Sequence, residues 1–223
     1  MNYSKIENLG IDRVLKRESG EIIENTDKAL FIRDAVSGAH LLACDDIDTG
    51  IELLDRYRDD LKLLMVSNYS LGLRAFERYV FSTKLECYQF AYYEEKPRVD
   101  SELTFRTADM SDLDMLAANY SMISRDELAQ VIERQSLLIG YLEERPVGFI
   151  GEHLEGSMGL LYVFPEYRRR GFGTDLELCY IAKTMEEGFV PFGQVEKNNE
   201  KSLGLQKKIG MTRSDNLIVW TWK

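Results

Sequence analysis

The sequence predicts a mixed α/β protein in two parts, a sheet carrying helices over residues 102–223 and a smaller α/β domain over residues 1–98. Three observations lead there. The second part alternates apolar runs with helical patterns in the order β-α-α-β-β-β-α-β-α-β. Within it SMGLLYVFP is short and almost wholly apolar, as befits a strand covered on both faces. Between the two parts, residues 92–102 read YYEEKPRVDSE, a charged stretch with a proline that suits a linker.

The elements follow in order. In the first part, strands are expected at residues 30–33 and 41–44, a helix at 47–61, a strand at 63–66, a helix at 71–81 and a strand at 86–93. This domain shows no phosphate loop and no cluster of catalytic residue types, so a packing or gating role is expected of it. The second part opens LTFRTADMSDLDMLAANY, an apolar strand pattern followed by Ser111 as a candidate N-cap and a helix with Leu113, Leu116 and Ala117 on one face. ISRDELAQVIERQ reads as a helix, and SLLIGYLEERPVGFIGEHLEG as two strands joined by a polar turn. After SMGLLYVFP come a helix over TDLELCYIAKTMEEG with Gly188 past its end, the strand FVPFGQVE, a helix closing at Gly210, and the strand LIVWTW.

Composition narrows the function classes. Forty-four per cent of the 223 residues are hydrophobic, enough for a packed core. The longest run without a charge, residues 63–73, is far shorter than the ~20 apolar residues of a membrane span. The opening MNYSKIENLG lacks the basic-then-apolar pattern of a secretory signal, so a cytoplasmic protein is expected. A net charge of −10 without a basic block opposes nucleic-acid binding. Cys44, Cys87 and Cys179 are scattered in apolar segments and read as reduced core thiols, and with only His40 and His153 beside them no metal site is expected.

The informative stretch is VFPEYRRRGFGTDLE, residues 163–177. Pro165 ends the preceding strand, and Gly171 and Gly173 permit a tight turn into a helix. Successive N–H groups of such a turn converge with the unpaired first N–H groups of the helix, which makes a phosphate seat, and the three arginines add charge. A solvated strand-to-helix turn would have the same bare pattern. It is neither a dinucleotide fingerprint, since Leu176 stands where the third glycine belongs, nor a P-loop, since no Gly-Lys-Ser/Thr follows.

The run from Tyr162 to Gly173, with Pro-Glu-Tyr-Arg and Arg-x-x-Gly-x-Gly, resembles the acyl-CoA pyrophosphate loop of the GNAT superfamily of N-acyltransferases. FRTADMSDLDML, RPVGFIG and VEKNNEKSLGLQKKIGM are similar to that family's other segments in order and spacing, so the resemblance covers residues 102–223. PEYRRRG and NEKSLGLQKKIGM look most like the glycine N-acyltransferase-like branch, which carries an extra N-terminal α/β unit. Residues 1–98 would then be a degenerate acyltransferase-like unit.

The resemblance implies a mostly antiparallel central sheet in which the strand at 157–164 splays from the next, leaving a slot for the pantetheine arm. It implies acetyl-CoA or another acyl-CoA as co-substrate, held by Tyr162, Val163, Arg168, Arg169, Arg170, Gly171, Phe172, Gly173, Thr174, Asn199 and Ser202, with main-chain N–H groups between Arg168 and Thr174 on the pyrophosphate. Asn199 also reads as the cap of its helix, a role Asn198 could take instead. The N–H of Val163 would meet the thioester carbonyl, and the acceptor would be a primary amine of a small molecule or peptide.

An amine must shed a proton before it attacks. At the positions matching the family's base stand Ser157 and Gly159, neither of them a base, so Glu152 acting through water becomes the candidate, with Glu155 near it and His153 read as a structural histidine. Gln206 stands where many members carry a tyrosine acid, and it supplies no proton. Tyr162, Tyr167 and Tyr180 read as packing aromatics. The alternative is an acyl-CoA-binding regulator or scaffold without turnover.

Overall fold

A computed structural model describes residues 5–223; Met1–Ser4, part of the stretch read above for a signal, lie outside the described residues. The chain forms two compact units whose borders differ from the expected division. Residues 194–207 and 211–223 pack with 1–91 in the first unit, and the second comprises residues 92–193 and 208–210. The reason is the C-terminal strand, whose ladder partners all belong to the first part of the chain.

The first unit contains helix α1 (Leu9–Lys16), strands β1 (Gly20–Asn25), β2 (Ala29–Asp34) and β3 (His40–Cys44), helix α2 (Ile47–Tyr57), β4 (Leu63–Val66), α3 (Tyr69–Arg78) and β5 (Thr83–Ala91). α1 and β1 carry no expectation in the sequence reading. α1 has apolar residues on one side only, and β1 is an edge strand without a buried residue. The strand order is β1-β2-β3-β4, then the C-terminal strand, then β5. β3 and β4 are parallel and remain paired over three positions, His40 with Leu64 through Leu42 with Val66.

Period-two alternation divides these strands between two cores. Ala29, Phe31, Leu42, Cys44, Leu64 and Val66 face α2 and α3, while Leu30, Ile32, Leu41, Ala43 and Met65 face α1. Each fully buried Phe or Leu here contributes roughly 1.5–3 kcal/mol relative to exposure. The free thiols of Cys44 and Cys87 lie in these cores, as expected, and burial pushes the Cys87 thiol up to about 12.

The second unit begins with β6 (Leu103–Thr107), α4 (Leu113–Asn119) and α5 (Arg125–Glu133). The expected cap Ser111 is displaced by Asp109. Its carboxylate accepts the Ser111 N–H at 2.8 Å, and Asp112 completes a reciprocal capping box. β7 (Leu137–Leu142) and β8 (Arg145–Glu152) form the expected hairpin, turning at Glu143, whose φ is 56°. β9 (Met158–Val163), α6 (Phe172–Glu186) and the start of β10 (Phe192–Glu196) follow, and Gly188 past α6 adopts φ 83°.

The order in this unit is β10-β9-β8-β7-β6, antiparallel except for β9 with β10. α4 and α5 cover one face through Leu116, Leu128, Val131 and Phe149. α6 covers the other; a Cβ on Gly148 of β8 or Gly140 of β7 would lie 3.1 Å from a Leu176 methyl.

After β10 the first unit resumes with α7 (Glu200–Ile209) and β11 (Thr212–Trp222). β11 lies between β4 and β5, antiparallel to both, with Val219 opposite Val66 and Glu86. No helix among the described residues is long and apolar enough to cross a membrane.

Candidate active site

β9 is bulged. Gly159 and Tyr162 pair with Gly151 and Phe149, so Leu160 and Leu161 together oppose Ile150, and Leu160 takes up the extra residue at φ 52°. Past the bulge the Phe164 N–H donates to the Val147 carbonyl at 2.9 Å, so Gly148 and Val163 form a non-hydrogen-bonded pair. The N–H and C=O of Val163 therefore point away from β8. On that edge β10 pairs with β9 only through Gly193 and Met158. The strand pair opens after one position, which is the splay expected from the sequence.

The Val163 carbonyl accepts the Arg168 Nε–H at 2.9 Å, and the Arg168 guanidinium lies 5.3 Å from the Tyr162 ring centre. The Val163 N–H meets no acceptor among the described residues.

The turn after β9 leaves a run of main-chain donors open. Pro165–Tyr167 form one 3-10 turn, Arg169 takes φ 63° and Gly171 φ 95°, and α6 begins at Phe172. The N–H groups of Arg169, Arg170, Gly171, Phe172 and Gly173 have no protein acceptor among the described residues. The expected set is thereby narrowed at both ends. Arg168 N–H reaches Pro165 O at 3.4 Å, and Thr174 N–H is committed to Gly171 O at 2.8 Å. The Phe172 ring is buried against Leu103 and Val147, so this residue offers only its main chain. Gly173 adjoins the strand donor; a Cβ there would lie 3.6 Å from a Val163 methyl.

The three arginines differ. Arg170 pairs with Glu102 at 3.2 Å and lies 4.7 Å from the Phe172 ring centre, Arg168 is folded onto Val163, and Arg169 makes no side-chain contact of this kind among the described residues. Lys208 adds a cation that the sequence reading missed. Its Nζ donates to Thr174 Oγ1 at 3.2 Å, at the start of α6. No local pattern could have revealed it, because 34 residues separate the two.

Asn199 caps α7, accepting the Ser202 N–H at 3.2 Å, so the cap is Asn199 rather than Asn198. Gln206 is buried. Tyr180 is a packing residue whose hydroxyl donates to the Ser136 carbonyl at 3.0 Å, and Tyr162 stacks on Phe149 at 5.6 Å.

Glu152, the candidate base, is buried at the end of β8. It is 7% exposed, and along β8 it alternates onto the face of Gly148, the one covered by α6. Ser157 Oγ donates to the Glu155 carboxylate. The unforeseen placement is that of His153: a Cβ on Gly159 would fall 2.6 Å from its Nε2, so the imidazole occupies the space a side chain at 159 would fill. Glu127 of α5 shares this neighbourhood. Burial raises its pKa, the His153 ring opposes that, and the Glu155 charge adds to it. A glycine inside an apolar strand is the one sequence signal that another group approaches there.

With this geometry in view, the likenesses to known proteins fall into place. The family model described as FR47-like protein matches residues 138–220. No curated protein matches the sequence. Among solved structures, an acetyltransferase of the GNAT family from Colwellia psychrerythraea is similar at 12% identity and a TM-score of 0.56, over 92% of this chain and 84% of that one. A putative GNAT acetyltransferase from Novosphingobium aromaticivorans is similar at 13% identity and a TM-score of 0.61, over 98% and 97%. A tandem GNAT protein from the clavulanic acid biosynthesis pathway is similar at 11% and 0.53, over 96% and 87%. The fold is that of the GNAT acetyltransferases, and the resemblance read from residues 102–223 is borne out at that level.

Proposed function

We propose that the protein is an acyl-CoA-dependent N-acyltransferase that moves an acyl group, foremost acetyl, to a primary amine of a small molecule or peptide. One observation carries the reading: the outward N–H of Val163 lies on the open edge of β9, and the turn that follows β9 holds a run of five acceptor-free N–H groups at residues 169–173. The turn suits a diphosphate. Five donors, a helix N-terminus and Arg168, Arg169, Arg170 and Lys208 supply charge and hydrogen bonds without a carboxylate inside the run.

When bound, an acyl-CoA supplies the activated carbonyl. The Val163 N–H, fixed by the ladder on its other side, stabilises negative charge developing on the carbonyl oxygen; losing such a donor elsewhere costs about 2.7–4 kcal/mol. For the arm to pair along β9, Arg168 releases the Val163 carbonyl.

In this reading the first unit is a degenerate copy without a cofactor site. Its corresponding parallel pair stays closed over three positions, and the residues between β3 and α2 are Asp45 and Asp46, with Asp46 capping the helix at 2.8 Å from Thr49 N. Two carboxylates there repel phosphate.

The second reading, an acyl-CoA binder without turnover, is favoured by the lack of a base at Ser157, just before β9, or at Gly159 within it. Calorimetric titration with acetyl-CoA, then release of free CoA on the same sample with glycine, spermidine, tyramine and a lysine peptide, separates the two. Binding with turnover is expected. Binding without release on any amine, longer acyl-CoAs included, leaves the second reading, and no binding removes both.

A further inference from the structure

We propose that His153 is the proton acceptor of the acyl transfer, reaching the amine through the gap that Gly159 leaves in β9; this rests on the acyl-transfer reading above. The imidazole lies against Gly159, four residues before Val163 on the strand that carries the thioester donor. Gly159 lacks the side chain that would fill the place, and an added Cβ would meet Nε2 at 2.6 Å and Cδ2 at 2.8 Å. The ring is half-buried rather than sealed in the core.

The competing groups are otherwise placed. The Ser157 hydroxyl is bonded to Glu155, which is itself buried, and Glu152 lies on the α6 face. Glu127 of α5 lies within electrostatic reach of the ring, and Glu155 within reach of Glu127. With about 3.3 Å per strand residue, the ring sits on the order of 10 Å from the Val163 donor, so the proton crosses through water.

The step balances as follows. A neutral imidazole takes one proton from the ammonium; the freed lone pair forms the N–C bond as the carbonyl electrons move to oxygen beside Val163 N–H. Collapse restores the carbonyl and breaks C–S, the second amine proton ends on the CoA sulfur, and the imidazolium returns its proton to solvent.

The test compares wild type, H153Q and G159A in kcat, in the pH dependence of kcat/KM and in calorimetric affinity for acetyl-CoA, with thermal melting to verify folding. H153Q is expected to lose about 100-fold or more in kcat, as loss of a general base typically does, with unchanged CoA affinity and a flattened ascending pH limb. G159A keeps the imidazole but displaces it, and a loss in the same direction is expected. By NMR, the imidazole signal that vanishes in H153Q, rather than that of His40, should move when the amine joins the desulfo-CoA complex. Wild-type kcat and pH profile in H153Q, or a silent imidazole signal, overturns the proposal while leaving acyl transfer intact. Absence of transfer by the wild type overturns both.

Discussion

Arg169 is the arginine of the loop with its charge unspent. Arg170 already meets Glu102, and Arg168 the Val163 carbonyl. A charge-assisted contact to phosphate is worth roughly 1.5–3 kcal/mol, so R169A should weaken CoA binding about tenfold at low salt. R170A should cost less, since its charge is partly neutralised, and both effects should shrink at about 1 M salt. Calorimetric titration at two ionic strengths checks this; equal losses for the two variants would remove the distinction. The loop was legible as residues because its pattern is contiguous: a proline stop, charges, and glycine at a left-handed position. Lys208 and the seat of His153 were not, because they meet their partners through the fold rather than through sequence spacing.

At the scale of elements, the site depends on how tightly β8 holds β9. A Cβ on Gly148 would fall 2.4 Å from the Tyr162 carbonyl and 3.0 Å from Val163 Cα, both backbone. G148A must therefore push β9 outward, which is expected to cost about 1–3 kcal/mol and to turn the Val163 donor. Thermal melting and CoA affinity should fall together; a stable variant with wild-type affinity would show that the strand pair is not what aims the donor. Elements with strong periodicity or caps, such as α7 ending at Gly210 and the β7–β8 hairpin, were readable in the sequence. The bulge at Leu160 was not, since an extra residue in an apolar run leaves no mark until the partner strand fixes the register. The face that Glu152 joins was hidden for a similar reason, because it depends on the alternation of β8.

At the scale of the whole chain, the place of the C-terminus is set by pairing that the sequence does not display. β11 looked like the last strand of the second part but lies between β4 and β5, and only ladder partners distant in sequence could reveal that. The first unit is further tied by Glu86 of β5. Its carboxylate takes bonds from Lys197 and Tyr69, which together with Lys84 hold its pKa at about 2. That lies below the ordinary value of about 4.3, so the contribution is present above about pH 4.3 and lost as pH falls toward about 2. E86Q should melt lower than wild type at about pH 7 and lose less between about pH 5 and 3, and parallel curves would contradict this. The central claim is tested most directly by a crystal structure with acetyl-CoA bound. It should place the diphosphate on the N–H groups of residues 169–173 and the thioester oxygen on Val163 N–H. A diphosphate seated elsewhere, or a thioester turned away from β9, would contradict it.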